Sequence, residues 1–358
     1  MRNSRQINLL RSLVEIPSPS GFEDEVANFI KQELLKFLPS KRVQIDFQKN
    51  VIATIPGTTD RTVVIDAHSD TIAFIVTNVN DDGYITVSPI GDGVSSILNG
   101  QHLSILTSKG VVNAVVNCKH HHLIADEEEA VNRICDMQID VGIRKRSQVL
   151  KNIKIGDPVI YKPKLVNLLE DYYSGYGLDD KAGCYILLET IREIVASKQK
   201  PNANLVFVFS SQEETLSTKL LPVVREYKPN LCIEVDVTFA TDYWEEEELE
   251  IEVGRCNLGS GMVIYRGVDI HVPSVALMEQ IAKKTKTKIQ YQASGTPVGY
   301  TATEMTGEGQ GVRAMILGIP QRNMHSPTET ICFKDLTGGV KLLQSFLLNS
   351  KLRSVIEK

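Results

Sequence analysis

Near the start of the chain, apolar residues recur at helical spacing. Ile7, Leu10, Leu13 and Val14 predict a helix that stops before Pro17. Val26, Phe29, Ile30, Leu34 and Leu35 predict a second amphipathic helix over residues 23–37. Three strands are expected next, at 42–47, 51–55 and 62–66. The last is an almost continuous apolar run (Val63, Val64, Ile65), as in a strand buried on both faces of a mostly parallel sheet.

The texture changes after about Thr71. Short β-rich pieces at 72–76, 84–87, 103–106, 111–116 and 159–161 are punctuated by Gly91-Asp92-Gly93, Asn99-Gly100 and Lys109-Gly110. One acidic segment, 126–134, predicts a short helix. Beyond Ser174 an α/β rhythm resumes, with helices expected at 180–196, 216–225, 273–286 and 334–348. Strands are expected at 205–209, 231–235 and 312–317. The fold class is therefore α/β, a mixed β-sheet flanked by helices. One discontinuous domain spans 1–70 and 165–358, and a small β-rich domain, 71–164, is inserted in it.

Composition adds exclusions. The 358 residues carry 39 basic and 44 acidic side chains, net −5, without the basic footprint of a nucleic-acid binder. No apolar run is long enough to span a membrane, and the N-terminal residues are too polar for a signal peptide. The six cysteines (118, 135, 184, 232, 256, 332) form no CxxC pair and read as reduced core thiols of a cytoplasmic protein.

Five short segments place acids or histidines at strand ends or helix starts. They are Ala67-His68-Ser69-Asp70, Gly177-Leu178-Asp179-Asp180-Lys181, Ser211-Gln212-Glu213-Glu214, Glu234-Val235-Asp236-Val237-Thr238 and Asn323-Met324-His325-Ser326-Pro327. In open α/β sheets functional groups gather beyond the carboxyl ends of the strands. Two histidines with several carboxylates suit zinc, cobalt or manganese better than calcium or magnesium. Taken singly, each segment has a plainer reading as a structural histidine, a helix cap, a solvated turn or an Asx turn. Five together in one α/β chain favour a metal site.

In this order the segments resemble the co-catalytic metallopeptidases: His-x-Asp, then Asp-Asp, Glu-Glu, an Asp, and a final His. The long gap falls between His68 and Asp179, where the M42 family (the glutamyl and tetrahedral aminopeptidases) carries its inserted domain. Ile139-Asp140-Val141-Gly142, the turn at 155–159 and Ile319-Pro320-Gln321-Arg322 are also similar to M42 members. The resemblance implies a catalytic domain with an inserted dimerisation domain, and two divalent ions, zinc or cobalt first and manganese next. His68, Asp179 and Asp236 would ligate one ion and Asp179, Glu214 and His325 the other. Glu213 would be the general base that activates a metal-bridging water, Asp70 would orient His68, and the Asp179–Asp180 peptide would be cis.

The implied activity is removal of N-terminal residues from short peptides by a homo-oligomer, often a tetrahedral dodecamer. The alternatives are a metal-dependent deacylase or carboxypeptidase of the related superfamily, or a non-catalytic assembly protein on the same fold. Two departures bear on substrate preference: relatives commonly carry Met and Glu where Ser69 and Thr71 stand, and a Val-Gly-x-Arg-Gly-Ala stretch at 215–219. The remaining conspicuous motifs read as structural. His120-His121-His122 is expected to be a surface cluster and Glu245–Glu248 a solvated turn. Gly307-Glu308-Gly309-Gln310-Gly311 precedes a strand, unlike a nucleotide loop.

Overall fold

The computed structural model describes residues 4–93, 97–118, 122, 134, 137–215, 217–243, 247–296 and 300–357. Its strands are β1 (Val43–Ile45), β2 (Val51–Ile55), β3 (Thr62–His68), β4 (Ala73–Val79), β5 (Ile85–Ile90), β6 (His102–Thr107), β7 (Gly110–Val116), β8 (Ile139–Asp140), β9 (Pro158–Tyr161), β10 (Val166–Asn167), β11 (Tyr172–Ser174), β12 (Asn204–Ser210), β13 (Leu231–Phe239), β14 (Met262–Gly267), β15 (Ile289–Ser294), β16 (Arg313–Gln321) and β17 (Thr330–Cys332). The helices are α1 (Ser4–Glu15), α2 (Asp24–Leu35), α3 (Arg146–Val149), α4 (Leu178–Ser197), α5 (Leu221–Tyr227), α6 (Glu247–Val253), α7 (Val272–Thr285), α8 (Thr301–Glu304), α9 (Phe333–Leu347) and α10 (Leu352–Ile356).

The main sheet runs in the order β1-β2-β12-β3-β13-β16-β14-β15. Its centre, β12-β3-β13-β16, is parallel, and β2 and β14 join it antiparallel. Every residue of β3 is buried, because alternate side chains serve two layers. Val63 and Ile65 pack in the larger core with Leu10, Leu13, Ile30 and Ile191 of α1, α2 and α4. Val64 faces the opposite layer with Val206, Val208, Val223 and Val224. Asp66 and His68 share the face of Val64, so the period of the strand delivers both to one side. Strands β4 to β9 close into an antiparallel barrel, in the order β4-β5-β8-β7-β6-β9, with its own apolar cluster.

Several expectations need correction. β13 does not end at Val235; it continues to Phe239, so Asp236 lies within the strand. It still reaches the site because β3 stops at His68, and the register Glu234↔Asp66 sets Asp236 level with that histidine. The helix expected at 216–225 is a 3₁₀ turn, Ser217–Leu220, followed by α5, with Pro222 at the helix start. The hydrophobic pattern of the chain does not predict β14 and β15. In β15 the polar Gln292 is the buried residue and Tyr291 is exposed, which inverts the usual alternation. The helix expected at 126–134 lies, apart from Ile134, outside the described residues. So do His120, His121, Glu245 and Glu246; His122 is exposed.

Candidate metal centre

Five elements bring the candidate residues to the carboxyl edge of the sheet. His68 ends β3, Asp236 lies in β13, Asp179 opens α4, Glu213 and Glu214 follow β12, and His325 follows β16. Asp179 stands between the two imidazoles: its Oδ1 is 3.0 Å from Nε2 of His68, and its Oδ2 is 3.3 Å from Nε2 of His325. His68 Nε2 lies 3.8 Å from Asp236 Oδ1, and His325 Nε2 lies 3.4 Å from Glu214 Oε2. Donor atoms of His68, Asp179 and Asp236, and separately of Asp179, Glu214 and His325, fall within 4.8 Å of one another. Glu213 belongs to neither triad. Its Oε2 is 3.9 Å from His68 Nε2, and its Oε1 is 3.5 Å from the Thr301 hydroxyl.

Local backbone geometry supports this convergence. Asp70 accepts the N–H groups of Glu213 and Glu214, and sits behind His68 at 3.4 Å from Nδ1. The Asp179–Asp180 peptide is cis. Gly183 allows α4 to approach β13, since a Cβ there would lie 2.5 Å from the carbonyl oxygen of Val235. His325 adopts a left-handed φ of 58°.

The electrostatics describe a site short of positive charge. Burial pushes Glu213, Glu214 and Asp236 up, and their carboxylate neighbours push them further. Burial acts downward on His68, but the carboxylates of Asp179 and Asp70 outweigh it and lift the imidazole well above its usual range. Burial also opposes ionisation of Asp179, yet its bonds to His325 and His68 hold it below the usual range. Among the described residues no lysine or arginine forms an ion pair with Asp179, Glu213, Glu214 or Asp236. Lys181 turns its ammonium instead to the carbonyls of Leu13 and Ile16, 3.3 Å from each. Glu214 Oε1 is buried with no hydrogen-bond partner. Crowded carboxylates, two imidazoles and an orphaned buried oxygen fit divalent cations.

The sequence profile of the M42 glutamyl aminopeptidase family matches residues 49–342. The chain belongs to this family. It is a peptide hydrolase, an aminopeptidase. This M42 chain is 28% identical over 342 residues to the lysyl aminopeptidase of Pyrococcus furiosus, covering 95% of this chain and 96% of that protein. Its fold is similar to that of a TET aminopeptidase from a marine-sediment thaumarchaeon, with TM-score 0.90, 23% identity and coverage of 98% and 99% of the two chains. It is also similar to the TET1 peptidase of Pyrococcus horikoshii, with TM-score 0.84, 24% identity and coverage of 96% and 99%.

The M42 centre also contains acids to which the sequence assigns no role. Glu329 is buried beneath α4, and its Oε2 accepts the backbone N–H of Asp179 at 3.1 Å. It also serves the backbones of Leu178 and Gly177. Asp66 and Glu234 are register partners one step back along β3 and β13. Burial lifts Asp66 to about 7, against its 2.9 Å bond from Ser210, and Glu234 accepts the N–H of Thr301 at 3.1 Å. Their only shared signal in the sequence is the two-residue offset from His68 and Asp236. Ser69 and Thr71 do not line the cleft. Ser69 donates to the Ser210 carbonyl, and Thr71 bonds the Tyr176 hydroxyl at 3.0 Å, so both brace the segment that carries His68 and Asp70.

Proposed function

We propose that the protein is a dinuclear metallo-aminopeptidase acting on short peptides. His68, Asp179 and Asp236 would hold one ion, zinc or cobalt, and Asp179, Glu214 and His325 the other. The observation that supports this most is the position of Asp179, whose two oxygens face two different imidazoles. Divalent cations held there supply Lewis acidity, polarising the scissile carbonyl and lowering the pKa of a bound water. Glu213, outside both triads but within 4 Å of His68, takes the proton of the attacking water and passes it to the leaving amine. Asp70 keeps Glu213, Glu214 and His68 in mutual register.

The expected result for Glu213→Gln is retention of metal with a loss of about 10²–10⁴ in turnover. Full activity of that variant would remove Glu213 from the mechanism. Cleavage confined to N-acylated peptides would move the enzyme to the deacylase class instead.

We further propose that residues 71–164 form a dimerisation domain and that residues 1–70 and 165–358 form the catalytic domain. Support comes from the closed barrel with its separate core, and from exposed apolar residues on it, Val111, Val115, Leu150 and Ile155. A homo-oligomer is the assembly this favours. The TET1 peptidase of Pyrococcus horikoshii can assemble into a tetrahedron or a large octahedral shell. A stable monomer of 39.8 kDa by light scattering would oppose the assembly. Buried thiols such as Cys184 and Cys232 suit a reducing, cytoplasmic setting.

A further inference from the structure

We infer that the cleft selects peptides whose N-terminal residue carries a long cationic side chain, lysine or arginine, and that Asp92 and Glu252 read that charge. The inference rests on the aminopeptidase reading above. The cleft encloses about 470 Å³ over the candidate metal centre. Away from the carboxylates and imidazoles, its walls include Phe239, Val253, Tyr265 and Met324, apolar or aromatic surface suited to a methylene stem. Asp92 and Glu252 also line it, and both are solvent-exposed. Among the described residues no lysine or arginine lines this cleft. The nearby Arg322 is held by Asp242 through two bonds of 2.7 Å.

The two acids come from different elements. Asp92 lies in the turn after β5, where the φ of Gly91 is 75° and an added Cβ would sit 3.1 Å from the carbonyl oxygen of Glu214. The barrel therefore presses this turn directly onto the segment that carries the candidate base. Glu252 lies in α6, and residues 245–252 contain six glutamates.

Charge arithmetic gives the cleft its sign. Among the acids that line the cleft, Asp179, Glu213, Glu214 and Asp236, when ionised, contribute four negative charges, which two divalent cations would balance. Asp92 and Glu252 remain as net negative charge. A lysyl or arginyl head meets opposite charge there, whereas a glutamyl head meets like charge in the same place. Each interaction is partly exposed and worth only a few-fold. Two acids acting with opposite sign on the two substrates should separate them by at least about 10-fold, less at high salt.

The test uses the full-length, cobalt-loaded enzyme and compares kcat/KM for lysyl, leucyl and glutamyl p-nitroanilides. The lysyl-to-glutamyl ratio is expected to be at least about 10, and to fall as potassium chloride is raised. It should approach unity in the Asp92→Asn/Glu252→Gln double variant and fall further in Asp92→Asn/Glu252→Lys. Because the readout is a ratio on one preparation, partial misfolding or metal loss cancels. A wild-type ratio near unity, or a double-variant ratio within twofold of wild type, overturns the inference while leaving the aminopeptidase reading intact. Failure to cleave all three substrates overturns the aminopeptidase reading itself, and this inference with it.

Discussion

The carboxylate of Asp70 accepts the backbone N–H of Glu213 at 3.0 Å. Its second oxygen takes the N–H of Glu214 at 3.2 Å, and the first lies 3.4 Å from Nδ1 of His68. One buried side chain thus aligns the candidate base, one candidate ligand and the ring of another. An asparagine there keeps one acceptor and turns an N–H₂ group toward a donor. Asp70→Asn is expected to weaken metal affinity by about 10–100-fold, as changes behind metal-bound histidines do. Competition with a chelator measures this, and unchanged affinity would take Asp70 out of the site's support.

Glu329 plays the corresponding part for Asp179. Glu329→Ala leaves buried N–H groups at the start of α4 without their acceptor. Each orphaned group costs about 1–3 kcal/mol, so the denaturation midpoint should fall. Glu329→Gln retains one acceptor oxygen and should lose less. Metal retention should drop in the same order. Wild-type stability and metal content in Glu329→Ala would show that the contact with Asp179 is incidental.

A pH dependence follows from Asp335, which belongs to neither candidate metal triad and does not line the cleft. Burial lifts its carboxyl from 3.8 to about 6, against the N–H groups of Gly259 and Gly261 at 2.7 and 2.8 Å. The folded state therefore favours the neutral acid. This contribution to stability is complete below about 3.8 and is lost as pH rises through about 6. Relative to Asp335→Asn, the wild type should lose roughly 2–3 kcal/mol between pH 4 and pH 7. Urea unfolding of both proteins at the two pH values measures it; a difference that does not change with pH would contradict it.

The parts of the fold most legible in the sequence were those whose periodicity matches their burial. β3 reads as a buried strand because both of its faces are apolar, and α1 and α2 read as helices because one face of each is. β15 carries no apolar alternation, because its buried residue, Gln292, is held by bonds to Thr238 and the Phe239 carbonyl and not by hydrophobicity. The end of β13 is not legible in the sequence because Asp236 and Thr238 interrupt an apolar pattern that the strand continues through. For the site, His68, Asp179, Glu213, Glu214, Asp236 and His325 stood out as clustered acids and imidazoles in a recognisable order. Glu329 did not, since a single carboxylate four residues beyond His325 has no pattern until the backbone of α4 is seen resting on it. Asp92 and Glu252 lie 160 residues apart in the chain, and only the cleft relates them.

Metal content per chain tests the central claim most directly. After loading with zinc or cobalt and exhaustive dialysis, elemental analysis of the wild type should give two ions per chain. His325→Ala, which spares His68 and Asp236, should give one, and Asp179→Ala, which removes the residue common to both triads, should give close to none. Two ions retained in Asp179→Ala, or none bound by the wild type, would contradict the account.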